Sequence, residues 1–283
     1  MIELGSTTAS DVGTLEIGDD LVVNRFGFGA MRITGPGVWG SPPDHAGAIA
    51  VLRRAIELGV NLIDTADAYG PDVSEDLIAE ALTPYPEDLI IATKGGLVRS
   101  GPGQWSPDGS PEHLREACEG SLRRLGLEQI PLYQFHRVDP AVPLAESLGA
   151  IVELKEEGKI LHIGLSNVDV DQLEAAQSIT SIVSVQNRYN LADRSSEEVL
   201  DRCNYERIAF LPWAPLAGLD SDPVAARIAE KHGATLNQVA LAWLLHRSPV
   251  MLPIAGTSSV EHFDENLAGV AMELSEEDIA ALG

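Results

Sequence analysis

The sequence predicts an α/β fold: a closed (β/α)8 TIM barrel formed as one domain over residues 1–283, with an N-terminal β-hairpin and extra C-terminal helices. Three observations carry this. Apolar runs of strand length alternate with stretches of helical period through eight strand–helix units, and the short connections argue for parallel strands with crossover helices. A length of 283 residues suits one such barrel. Finally, nearly every strand-like run is apolar until its C-terminal end and then presents a polar or aromatic group: Asp64, Lys94, His136, Ser166 with Asn167, Gln186, Trp213, and Thr257 after the last. Barrels of this kind carry their chemistry on that face.

Each element has a local reason. Leu15-Glu16-Ile17 and Leu21-Val22-Val23 alternate on either side of Gly18-Asp19-Asp20, a hairpin pattern. Phe26-Gly27-Phe28-Gly29 reads as the first barrel strand, glycine-rich where backbone or ligand approaches closely. Ala48, Val51, Leu52, Ala55 and Ile56 recur at helical spacing and stop at Gly59. Strand 60–64 follows, then a helix through Leu77, Ile78, Ala81 and Leu82, and strand 89–93. Ser110-Pro111 opens a third helix with an N-cap and a proline at its first position, and Gly126 closes it. The unit then repeats: strand 132–136 and helix Leu144 to Glu157, strand 160–165 and helix 169–177, strand 182–186 and helix 196–204. Strand 207–212 precedes helix 223–232 and an extra helix 236–246, and strand 250–254 precedes helices 259–268 and 275–281. The one long irregular stretch is Gly95 to Gly109, and loops of that length in a compact domain are usually functional.

Composition narrows the function. A formal charge of −24, from 43 Asp plus Glu against 19 Lys plus Arg, argues against nucleic acid or an anionic membrane as partner, since either needs a basic patch. No run of about 18 apolar residues spans a bilayer, and Met1 to Asp20 lacks the basic start and apolar core of a signal peptide, so a cytoplasmic location is expected. Cys118 and Cys203 are too few for a disulfide framework and are expected to be buried reduced thiols, with no metal site. The acidity fits a salt-rich cytoplasm or an ordinary acidic enzyme.

The strand ends offer an Asp, a Lys and a His beside Tyr69, which lies in the turn after Asp64. That set suits general-acid chemistry. A tyrosine can protonate a developing alkoxide once its pKa of about 10 is lowered, and a neighbouring ammonium, Lys94, lowers it. Asp64 would keep Lys94 charged against desolvation. Gly35-Pro36-Gly37-Val38-Trp39-Gly40 matches the G-x-G-x-x-G pattern, but Ser41-Pro42-Pro43 follows where a helix should start, so a dinucleotide fold is not indicated.

Through Ile63-Asp64-Thr65-Ala66 with Tyr69-Gly70, Thr93-Lys94, Phe135-His136, Gly164-Leu165-Ser166-Asn167 and Val185-Gln186-Asn187, the chain resembles the aldo-keto reductases over most of its length. The resemblance implies that the N-terminal hairpin plugs the barrel bottom and that Asp64, Tyr69, Lys94 and His136 are catalytic, with His136 aiming the carbonyl oxygen. It implies a nicotinamide cofactor whose carboxamide is held by Ser166, Asn167 and Gln186 and whose ring stacks on Trp213. Trp213, Ala214, Pro215, Leu216 and Gly218 would wrap the pyrophosphate, while Gly256, Thr257, Ser258, His262, Glu265 and Asn266 would meet the adenosine end. Gly29, Met31, Asp64 and Ile254 complete the expected cofactor set. NADP(H) is expected over NAD(H), although many relatives place a lysine and an arginine where this chain has Gly256 and His262. Trp39 and Trp105, with Tyr69 and His136, would line the mouth for a small carbonyl substrate. The short end after helix 275–281 implies an open mouth, tolerant of small, aromatic or pyridoxal-like aldehydes, on a protein expected to be a monomer. The rival expectation is a nicotinamide-binding sensor with slow turnover; steady oxidation of reduced cofactor separates the two.

Overall fold

The computed structural model describes residues 7–219 and 222–283. Eight parallel strands form the barrel wall: β3 (Gly27–Gly29), β4 (Leu62–Asp64), β5 (Ile90–Gly95), β8 (Ile130–Phe135), β9 (Ile160–Ser166), β10 (Ser184–Gln186), β11 (Ala209–Phe210) and β12 (Ile254–Ala255). They lie in the order β11-β10-β9-β8-β5-β4-β3-β12. A parallel bridge between Phe210 and Met251 brings the two ends together. Ten α-helices are present among the described residues: α1 (His45–Glu57), α2 (Val73–Leu82), α3 (Pro111–Leu125), α4 (Leu144–Glu156), α5 (Val170–Gln177), α6 (Glu197–Glu206), α7 (Pro223–His232), α8 (Leu236–Arg247), α9 (Val260–Val270) and α10 (Glu276–Leu282).

The helix boundaries follow side-chain chemistry. Ser110 accepts from the His113 amide ahead of Pro111, and Gly126 at φ 65° ends α3 in the left-handed region. Asp169 with Gln172, and Thr235 with Gln238, form reciprocal capping boxes that start α5 and α8. The apolar positions read from the 3.6-residue spacing face inward: Ala48, Val51, Leu52 and Ala55 of α1 are all buried.

The N-terminal hairpin, β1 (Thr14–Ile17) paired with β2 (Leu21–Asn24), turns at Gly18 and Gly18 adopts φ 67°. Ile17, Leu21 and Val23 join one buried cluster with Leu62, Ala92, Leu132, Leu211 and Leu252 from the barrel strands, so the hairpin closes one end of the barrel. Asp64, Lys94, His136 and Gln186 stand at or next to the other ends of their strands.

Two expectations change. The segment from Gly95 to Gly109 is not irregular: it holds an antiparallel hairpin, β6 (Leu97–Gly101) with β7 (Gln104–Pro107), bulged between Arg99 and Gly101. Pro102 and Gly103, the latter at φ 68°, make its turn. The strands expected at 207–212 and 250–254 are two residues each, Ala209–Phe210 and Ile254–Ala255. Their flanking apolar residues are buried without extending the ladder, so apolarity there reports burial rather than pairing.

Candidate active site

β4 ends at Asp64, and the chain turns through residues 65–72 into α2. Within the turn the Tyr69 amide donates to Ala66 O at 3.1 Å, and the Ala68 amide donates to Asp67 Oδ1 at 2.6 Å. Gly70, at φ 105°, is required: a Cβ there would lie 2.5 Å from Val73 Cβ. The turn thereby buries the Tyr69 ring.

Lys94 of β5 lies two residues beyond Ala92, the register partner of Asp64, so both side chains point into the barrel. Its ammonium donates to Asp64 Oδ2 at 2.7 Å, to Thr65 O at 2.8 Å and to Tyr69 Oη at 3.4 Å, three acceptors for three protons. Lys94 is 0% and Asp64 2% exposed. His136 follows β8 directly, its ring edge-on to Tyr69 with centroids 5.8 Å apart. Its Nδ1 is buried without a hydrogen-bond partner.

The charges follow from this packing. Burial pushes Lys94 down, but the Asp64 charge, Tyr69 and the hydrogen bonds outweigh it, and Lys94 stays cationic with its pKa above the ordinary value. His136 is driven well below its ordinary value by burial and then by Lys94 and Arg137, so its imidazole is neutral. Tyr69 departs from expectation. Burial raises its pKa by more than Lys94 lowers it; the ammonium is shared with Asp64, and the phenolate would have little water. The phenol is therefore held protonated.

The polar residues at the next strand ends interlock. Asn167 Nδ2 donates to His136 O at 3.0 Å and to Ser166 Oγ at 2.9 Å, and Trp213 Nε1 donates to Asn167 Oδ1 at 3.1 Å. Gln186 turns its Nε2 to Asp64 Oδ1 at 2.7 Å, leaving its Oε1 as the group to offer a carboxamide. Asn167 at φ 59° and Ala214 at φ 51° occupy the left-handed region, strain of the kind that clusters at functional sites. Asn190 Nδ2 holds the Ala214 carbonyl at 2.9 Å. Pro215 is buried, Leu216 half-buried, and Gly218 adopts φ 77°.

The residues expected at the adenosine end sit where β12 meets β3 and α9 begins. A Cβ on Gly256 would fall 2.2 Å from Gly29 O, and one on Gly29 would fall 2.8 Å from Ile254 O, so both glycines are demanded by backbone contact. Ser259 caps α9, Thr257 Oγ1 accepts from the Ser259 amide, and Asn266 Oδ1 is buried without a partner. That orphaned acceptor suits an adenine amino group. Met31 and Glu265 are half-buried; Ser258 and His262 are exposed.

At the expected substrate mouth, Trp105 of the β6–β7 hairpin stands edge-on to Tyr69 at 6.3 Å and to His136 at 6.5 Å. Trp39 pairs with Gly70 through an isolated bridge. Two residues were missed from sequence. Gln134 donates from Nε2 to Asp64 Oδ1 at 3.0 Å; its signal was a polar residue inside the apolar run Leu132-Tyr133-Gln134-Phe135, two residues before His136 and so on the same face. Arg99 reaches three loops at the mouth, and no spacing rule marked it.

The Aldo/keto reductase family pattern matches residues 25–283. The chain is 50% identical to an uncharacterized oxidoreductase of Schizosaccharomyces pombe, over 97% of this chain and 90% of that one. It is 45% identical to the pyridoxine 4-dehydrogenase of Escherichia coli, over 92% and 94% of the two chains. An aldo-keto reductase from Klebsiella pneumoniae, solved in complex with NADPH, superposes with a TM-score of 0.80 at 28% identity, covering 98% of this chain and 94% of that one. With the family pattern running from the first barrel strand to the last helix, this chain is an oxidoreductase and belongs to the aldo/keto reductase family.

Proposed function

We propose that residues 1–283 act as one barrel domain that reduces planar aldehydes, pyridoxal-like ones among them, with a nicotinamide cofactor. The observation that carries the reading is the buried Lys94 ammonium, 2.7 Å from Asp64 Oδ2 and 3.4 Å from Tyr69 Oη. The 45% identity to a pyridoxine 4-dehydrogenase supports the substrate class. A reduced nicotinamide, when bound, supplies the hydride to the carbonyl carbon.

Every other part of the step belongs to this chain. Tyr69 gives its phenolic proton to the carbonyl oxygen as charge develops there, and solvent reprotonates the phenolate afterward. Lys94, kept cationic by Asp64, stabilises that phenolate at the moment it forms. His136 Nδ1 has no acceptor within reach, so the neutral ring carries its proton on Nε2 and donates a hydrogen bond from it to the carbonyl oxygen, keeping the proton. Ser166, Asn167 and Gln186 hold the carboxamide, Trp213 carries the nicotinamide ring, and Asn266 Oδ1 accepts from adenine. Trp39 and Trp105 flank the substrate. NADP(H) is preferred over NAD(H), in keeping with the relative solved with NADPH; Thr257, Ser258 and the α9 amides receive the 2′-phosphate.

Reduced-nicotinamide absorbance tests this directly. NADPH oxidation driven by pyridoxal or 4-nitrobenzaldehyde should fall by about two orders of magnitude or more in Tyr69→Phe, the size expected for a lost general acid. Cofactor binding without aldehyde-driven oxidation in the wild type would instead identify a nicotinamide sensor.

A further inference from the structure

We infer that Arg99 is a positioning residue that fixes the substrate aperture and makes it selective for flat, conjugated carbonyls. The inference rests on the reductase reading and extends it to a residue outside the catalytic set. Arg99 spends all five of its N–H donors on backbone carbonyls. Nε donates to Gln104 O at 3.0 Å, Nη1 to Val38 O at 2.6 Å and Ala68 O at 2.9 Å, and Nη2 to Gly37 O at 2.8 Å and Gly101 O at 3.3 Å. None of these partners is a carboxylate, in a chain with 43 acidic residues against 19 basic ones. The charge is held by peptide dipoles instead.

Those carbonyls come from three loops. Gly37 and Val38 follow β3, Ala68 follows β4 and immediately precedes Tyr69, and Gly101 with Gln104 belong to the β6–β7 hairpin. Val38 is at φ 56°, a conformation that a β-branched residue adopts only when its surroundings impose it. Arg99 Nη1 on its carbonyl and the bridge from Trp39 to Gly70 impose it here. The guanidinium lies 3.5 Å from the Trp105 ring centroid and 5.7 Å from that of Trp39. Trp105 is thereby backed by a fixed cation while its ring stands edge-on to Tyr69 and His136. With its donors consumed, Arg99 cannot hydrogen-bond a substrate; it holds Trp105 and the Tyr69 turn in place. A planar carbonyl compound uses that fixed ring as a wall, whereas a short aliphatic aldehyde does not need it.

The test compares wild type, Arg99→Met and Arg99→Lys with 4-nitrobenzaldehyde and propanal, alongside backbone hydrogen exchange of residues 66–70 and 97–107. Both variants should raise KM for 4-nitrobenzaldehyde about tenfold, the scale of one aromatic contact, while KM for propanal stays within about threefold. Exchange should speed up in both segments. Lysine should fail to rescue, because a compact ammonium cannot replace a planar five-donor fork. Equal losses with both aldehydes, rescue by lysine or unchanged exchange would each overturn the proposal. If Arg99→Met does not fold, Arg99→Lys alone must show the split between aldehydes and the faster exchange, and the absence of either counts against the proposal. A wild type in which neither aldehyde drives NADPH oxidation would remove the reductase reading and the selectivity with it; the exchange comparison would still report whether Arg99 staples the loops.

Discussion

Lys94 and Tyr69 show what burial does to a pair read from sequence as activator and acid. The identities and the contact were legible because each residue ends or follows an apolar run. The net direction on Tyr69 was not, since it depends on water lost around the ring, which spacing does not encode. The consequence is a pH profile. With Tyr69 as the proposed acid, reduction would need the protonated phenol, and the folded pKa of Tyr69 lies above its ordinary 10.0; activity should be lost only as pH rises through that value. His136, neutral because its pKa is well below 6.5, adds no limb near neutrality. The rate of aldehyde reduction at saturating substrate should therefore be flat from about pH 6.5 to 9, well short of the tyrosine's own range. A limb with a midpoint near 7 would mean that His136 or another group is the acid. Gln134 belongs to this scale as well. Its partner, Asp64, is 70 positions away in the chain, so its role became visible only once β8 and β4 were placed on the same barrel.

Elements were legible where a periodic pattern met a stop signal. The serine and proline opening α3, Gly126 closing it, and the alternation around Gly18 each mark a boundary by a local mechanism. The β6–β7 hairpin was not found, because Gly101-Pro102-Gly103 and an adjoining bulge disturb the alternation by which a strand pair is recognised. The N-terminal hairpin carries a separable prediction. Ile17 is fully buried in the cluster that closes the barrel end opposite the proposed catalytic residues. Ile17→Ala should cost about 2–5 kcal/mol of unfolding free energy in urea, as large-to-small core substitutions do. Because that cluster contains none of Asp64, Tyr69, Lys94 or His136, kcat at 25 °C should stay within about twofold, consistent with independence of well-separated sites. A large fall in kcat with intact folding would show that the plug sets barrel geometry at its far end.

At the scale of the whole molecule, the charge of −24 bears on how a multiply anionic cofactor is taken up. Sites that hold phosphates with lysine and arginine weaken as salt screens the attraction. Here the expected cationic positions are Gly256 and His262, and Gly256 cannot accept a lysine without displacing Gly29, whose carbonyl would lie 2.2 Å from the new Cβ. Close contacts to the 2′-phosphate of the proposed NADP(H) would then be left to hydroxyls and helix amides, whose dipoles act at short range. The long-range field of the acidic surface opposes the cofactor's approach, and salt screens that field over about 10 Å at 0.1 M. Screening therefore removes more repulsion than attraction. KM for NADPH should stay level or fall as sodium chloride rises from about 20 to about 200 mM, a range that shortens the screening length severalfold. His262→Arg, on an exposed side chain at the first turn of α9, should lower KM for NADPH at low salt and restore the ordinary rise of KM with salt, leaving KM for NADH nearly unchanged. A wild-type KM that climbs steeply with salt would place a cationic clamp elsewhere on the chain and remove the reason for expecting His262→Arg to help.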